Sequence, residues 1–137
     1  MVLARRDDRS DHPGMTVVGT LIAESLRVGA VLDDVPMHVN KIARAELGDV
    51  SRGQPRTWTI VDFAIPDGEA ESLVRCLEEA LQVTGGWYCD LRSDDETFVI
   101  FAGRTFRYPR GDEAGRAAAI AHGQTVGVPV EQLDWPR

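Results

Sequence analysis

The chain has 137 residues, of which 43% are hydrophobic and 27% are charged, and its formal net charge is −7 at pH 7. This size and composition predict one soluble domain with a single core. The acidic balance argues against a general binder of nucleic acid or of anionic membranes, because neutralising phosphates requires a basic surface.

The N-terminal residues predict no membrane anchor or export signal. MVLARRDDRSDHPG carries charges but no apolar region of a secretory signal, and no stretch of the chain approaches the ~20 apolar residues that a membrane span needs. We therefore expect a cytoplasmic protein with a disordered arm over residues 1–15 and one α+β domain over residues 16–137.

The first half of the chain predicts three strands. Residues 16–24 favour a strand, although AESLRVG also fits a helical turn, and residues 37–47 alternate imperfectly between apolar and polar. RTWTIVDFAIP is rich in aromatic and β-branched residues. Its two-residue period places Trp58 and Asp62 on one face. Both faces are mostly apolar, so we expect this strand in the middle of the sheet.

The second half predicts two helices around a meander of three strands. Residues 69–83 carry apolar side chains at helical spacing, and Asp67 is placed to cap that helix. GWYCDLR, ETFVIFAGR and RTFRYP then alternate with turns as antiparallel strands. Asp112 is placed to cap the last helix, after which Leu133 and Trp135 are expected to fold back onto the core.

The order β-β-β-α-β-β-β-α predicts an α+β fold. We expect a single antiparallel sheet of about five to six strands with both helices on one face. From Trp58 onward, the order of elements resembles a ferredoxin-like βαββα unit. The helix-free face is then open, or covered by a second chain.

Two carboxylates on predicted strands suggest a polar site. If Asp62, Asp90 and Arg107 share the helix-free face, desolvation would suit the carboxylates to acid–base work. The same side chains also fit cross-strand ion pairs on a solvated sheet. The catalytic candidates are Asp62, Asp90, Tyr88 and Tyr108, and the aromatic binding candidates are Trp58 and Trp87.

Positive charge collects around the start of the last helix. The arginines concerned are Arg104, Arg107, Arg110 and Arg116. A helix N-terminus attracts anions through its unpaired N–H groups, so an anionic ligand or an acidic partner would suit this Arg-rich corner. Asp112 and Glu113 occupy the same region, and a corner closed by internal salt bridges remains the alternative.

The sequence carries no recognisable cofactor or metal motif. Cys76 and Cys89 match no zinc or disulfide spacing, and we expect both as core residues in a reducing compartment. His38 and His122 are isolated from other ligand residues. We therefore expect no cofactor and no metal ion.

A long C-terminal run resembles known proteins. FRYPRGDEAGRAAAIAHGQTVGVPVEQLDWP, and WYCDLRSDDETFVIFAGR before it, resemble an uncharacterised family of small bacterial proteins common in GC-rich genomes. The resemblance covers residues 86–136 and implies an intact natural domain. It implies no activity.

Three interpretations follow from these patterns, the last of them a purely structural dimeric domain. The first is a noncatalytic binding or regulatory protein, such as an immunity protein, an antitoxin or an accessory subunit, that holds a protein partner or its own copy through the sheet face or the Arg-rich corner. The alternative is a small-molecule-binding protein or a small biosynthetic enzyme that uses the sheet-face carboxylates. A concave pocket with buried carboxylates favours the alternative, and a flat apolar patch favours a protein partner.

Overall fold

The computed structural model describes residues 16–48, 50 and 53–135. The predicted N-terminal arm, residues 1–15, lies outside the described residues. The elements are strands β1 (Thr16–Ile22), β2 (His38–Glu46), β3 (Thr57–Pro66), β4 (Cys89–Arg92), β5 (Glu96–Phe101) and β6 (Arg104–Pro109), and helices α1 (Ala70–Ala80) and α2 (Glu113–Thr125). No described helix is both long and apolar enough to cross a membrane.

The strands form one antiparallel six-stranded sheet in the order β2-β3-β1-β4-β5-β6. With the two helices, this confirms the predicted α+β fold. Strand β3 lies between β2 and β1, as its two apolar faces predicted. Because β1 pairs antiparallel with both β3 and β4, those two strands run parallel with β1 between them, and α1 connects them in a split β-α-β unit.

The two helices lie on opposite faces of the sheet, so the expectation of both on one face is wrong. Leu73 and Leu77 of α1 pack in one core with Ile100 of β5. Ala119 of α2 packs in a second core with Val99. Successive strand residues point to opposite faces, and β5 is buried on both. A helix on one side only would leave half of its apolar residues in water.

One of the two predicted helix caps is confirmed. The Asp112 carboxylate accepts hydrogen bonds from the backbone N–H groups of Ala114 at 3.1 Å and Gly115 at 3.2 Å. The predicted cap at Asp67 is wrong, because Asp67 begins a short 3-10 turn and the N-cap position of α1 falls on Glu69.

Leu133 and Trp135 fold back onto the core, as predicted, and they do so on the α2 face. Leu133 and Trp135 are buried there. The indole Nε1–H of Trp135 donates to the Tyr108 hydroxyl at 2.8 Å, and Arg116 Nη2 donates to the Trp135 carbonyl at 3.1 Å. Helix α2 and this C-terminal segment together leave part of the face over β3, β1 and β4 uncovered, and that part is called the open face below.

The sheet is tightly packed beneath the open face at Gly19. A Cβ at Gly19 would lie 2.5 Å from Leu91 Cδ2, 2.7 Å from Phe63 Cζ and 3.1 Å from the Asp90 carbonyl oxygen. We expect Gly19→Ala to lower the free energy of unfolding by about 1–3 kcal/mol in urea denaturation, because the buried neighbours must move. Gly68→Ala is the control, since a Cβ there meets nothing within 4 Å. Equal stability of the two variants would contradict the packing described.

Candidate ligand cleft

A cleft of about 420 Å³ lies on the open face. Its floor includes Thr20 and Ile22 of β1, Trp58 of β3 and Asp90 and Arg92 of β4. Two-residue alternation brings these side chains to one face of three neighbouring strands. The C-terminal segment forms a wall with Glu131, Gln132, Asp134 and Trp135.

A row of polar side chains crosses the open face of the sheet. The pairing register sets Lys41 of β2 opposite Asp62, Asp62 opposite Thr20, and Thr20 opposite Asp90. The Thr20 hydroxyl donates to Asp62 Oδ1 at 2.8 Å. Thr20 therefore stands between two carboxylates and bonds to one of them.

Asp90 is the most perturbed acid of the cleft. Its side chain is 15% exposed, and its Oδ2 lies 3.3 Å from Nη1 of Arg92. Burial raises the pKa of Asp90 from 3.8 to about 6, against the opposing effect of Arg92. The negative charges of Asp134 and Asp62 add to the increase. The cleft therefore holds a carboxyl group that exchanges its proton close to neutral pH.

Side-chain hydrogen bonds fasten the wall to the floor. The Tyr88 hydroxyl donates to the Gln132 carbonyl, and burial raises the pKa of Tyr88, so it stays protonated. The side-chain amides of Gln54 and Gln132 bond to each other at 3.0 and 3.3 Å. The Trp135 ring meets Tyr88 edge-on, with 5.1 Å between their centroids. The wall is thus a fixed part of the cleft.

The structure brings together four of the residues that the sequence singled out. Trp58, Tyr88 and Asp90 line the cleft directly, and Asp62 is bonded to its floor through Thr20. Trp87 is buried against Trp58, with ring centroids 5.3 Å apart.

Two predicted members of the site lie elsewhere. Tyr108 is buried beneath the C-terminal segment, where its hydroxyl accepts from Trp135. Arg107 extends on the α1 face and forms two bonds to Glu96, at 2.8 and 2.9 Å, and one to Glu71 at 3.1 Å. Its placement on the open face is wrong because Arg107 is paired with Phe98, whose side chain faces α1.

The remaining arginines are distributed over the molecule. The Arg104 guanidinium lies over the Phe106 ring at 4.6 Å, and that of Arg116 lies over Trp135 at 5.9 Å. Arg110 stands beside the β4–β5 turn, where its backbone N–H donates to the Asp95 carbonyl at 2.9 Å. The salt bridges of Arg107 join β6 to β5 and α1, whereas the alternative of a salt-bridged corner expected Asp112 and Glu113 at the start of the last helix as partners.

Sequence reasoning missed several residues of the cleft. Arg92 has the same strand parity as Asp90, so the two-residue period could have identified it. Thr20 could not be identified, because its position between the two carboxylates depends on which strands pair. Gln132 and Asp134 lie in a segment without periodicity.

Among the described residues, no group of three or more His, Cys, Asp or Glu side chains is placed to hold a metal ion. In comparison with known proteins, the chain matches no family model, no curated protein and no solved structure.

The burial of Asp90 predicts how stability depends on pH. Because the folded pKa of about 6 exceeds the ordinary 3.8, the folded state keeps a proton that the unfolded chain has lost in this window. The stabilisation by protonated Asp90 is full below about pH 4 and is lost as the pH rises through about 6. The free energy of unfolding falls by on the order of 2–3 kcal/mol across this window.

We expect Asp90→Asn to fold and to lack this loss. Urea denaturation of wild type and variant between about pH 4 and 7 should therefore give stability curves that diverge by this amount. Asp94→Asn, in an exposed turn, is the control and should follow the wild type. Parallel curves for wild type and Asp90→Asn would contradict the burial of an ionisable Asp90.

Proposed function

We propose that the protein binds a small molecule in the cleft, and that this molecule carries a positively charged amine on an apolar body. The observation that carries the proposal is the largely buried carboxyl of Asp90 on the floor of a concave cleft. A buried carboxylate is costly unless a partner compensates its charge.

The size of the cleft supports a metabolite-sized ligand. Its volume of about 420 Å³ falls within the range of roughly 300–1,000 Å³ that is usual for small-molecule sites. The wall is held by side-chain bonds to Tyr88 and Gln54, so the concave shape exists before a ligand enters. A preformed site loses less free energy to ordering when it binds.

The chemistry of the lining supports a cationic ligand. Asp90, Glu131 and Asp134 contribute negative charge, and Arg92 is the cation among the lining side chains. Aromatic rings at Trp58, Tyr88 and Trp135 border the same space. Carboxylates offset the charge of an amine, and aromatic faces attract cations and cover apolar surface.

A second candidate function is acid–base catalysis by Asp90. Its pKa of about 6 suits a group that both accepts and releases a proton at neutral pH. The Tyr88 hydroxyl is already engaged in a hydrogen bond to the Gln132 carbonyl. This candidate function therefore depends on Asp90.

A protein partner or a second copy stays a prediction. The exposed edge strand β2 is the surface for it, with Val39 45% and Ile42 65% exposed. A register shift between Val39 and Lys41, and the charge of Lys41, oppose the addition of another strand at this edge. The cleft therefore supports small-molecule binding better than the edge supports a protein partner.

Filling the cleft tests the proposal. We expect wild-type protein purified from its source organism to retain a small molecule in native mass spectrometry, and Ile22→Trp to lose it, because Ile22 lines the cleft. Ile42→Trp makes the same change on the edge strand and should keep the ligand. Retention of a polypeptide by the wild type would contradict the proposal. Retention of the same small molecule by Ile22→Trp would contradict it as well.

A further inference from the structure

A second hollow adjoins the cleft across Arg92. It has a volume of about 310 Å³ and lies at the end of β1 beside the β4–β5 turn. Arg92 lines both spaces. The other residues of the hollow are Thr16, Val18, Ser93, Asp94 and Arg110.

The hollow brings two guanidinium groups together, those of Arg92 and Arg110. Asp94 contributes one negative charge, and Asp90 of the cleft offsets the charge of Arg92 from the other side. Asp94 is exposed in the turn, so water solvates its carboxylate. In a chain with a net charge of −7, this is a local concentration of guanidinium groups.

The donors of the hollow suit an anion. Arg92 contacts Asp90 through Nη1, and because a guanidinium carries five N–H donors, that contact leaves further donors for a ligand. The Ser93 hydroxyl oxygen accepts from the backbone N–H groups of Asp95 at 3.2 Å and Glu96 at 3.1 Å. Its own proton is then available to donate to a third group. Planar guanidinium groups with nearby hydroxyls are the usual partners of carboxylate and phosphate.

We infer that this hollow binds the anionic group, a carboxylate or a phosphate, of the ligand whose amine lies in the cleft. The inference rests on the proposed function for the amine end. It assigns the ligand to the class of zwitterions, with Arg92 between the two ends. It also gives a binding role to Arg110, one of the arginines at the Arg-rich corner.

The test uses simple probes followed by backbone amide NMR on the full chain. Inorganic phosphate and acetate probe the hollow, and phenethylamine probes the cleft. We expect phosphate or acetate to shift the amide signals of Thr16, Val18 and Ser93, and the anion that binds more tightly identifies the class. Arg110→Gln should weaken this binding at least about tenfold, as expected for losing one charge-assisted bond. Arg104→Gln, which removes an arginine that lies over Phe106, should leave it unchanged.

The outcomes separate the two proposals. No shift with either anion, or equal shifts in wild type and Arg110→Gln, would overturn the anion site and leave the cleft to be judged by phenethylamine alone. Anion binding without any response of the cleft to phenethylamine would overturn the proposed amine site. If Arg110→Gln does not fold, Ser93→Ala replaces it, and loss of anion affinity is again the expected result.

As a last arm, phosphoethanolamine joins an amine to a phosphate. We expect it to bind at least about tenfold more tightly than inorganic phosphate, because linked groups bind with an effective concentration. Equal affinities would overturn the assignment of both ends to one ligand.

Discussion

Successive side chains of β4 point to opposite faces of the sheet, and the candidate site depends on this alternation. Cys89 and Leu91 are completely buried in the core under α1. Their burial fixes the strand, so Asp90 and Arg92 must point to the other face. A one-residue shift of β4 would expose the two core residues and place a carboxylate in the core. The large apolar burial of its neighbours therefore holds Asp90 in its partly desolvated position.

The covering of the second face creates the cleft. Helix α2 covers β5 and β6, and the C-terminal segment walls the cleft beside β4. The cleft lies at the boundary between the covered and the uncovered part of this sheet face. Burial raises the pKa of Asp90 most, and the negative charges of Asp134 on the wall and of Asp62 on β3 add to the increase. The electrostatics of the cleft thus follow from the meeting of two separate parts of the chain.

Local patterns predicted the elements of the fold and three of the residues that line the cleft, Trp58, Tyr88 and Asp90. The two-residue period of β3 assigned Trp58 and Asp62 to the same face, and the structure agrees. The apolar run of β5 indicates that both faces of this strand are covered. Phe98 and Val99 point in opposite directions, and both are buried. The face that Arg107 occupies depends on its pairing with Phe98, which the local pattern does not show. Strand order and the path of the C-terminal segment depend on contacts distant in sequence, which no local pattern encodes.

A carboxyl ¹³C NMR titration of Asp90 measures the ionisation of the buried group itself. We expect a titration midpoint near the raised pKa of about 6. A midpoint near the ordinary value of 3.8 would mean that water reaches Asp90 freely, and it would contradict the description of the cleft.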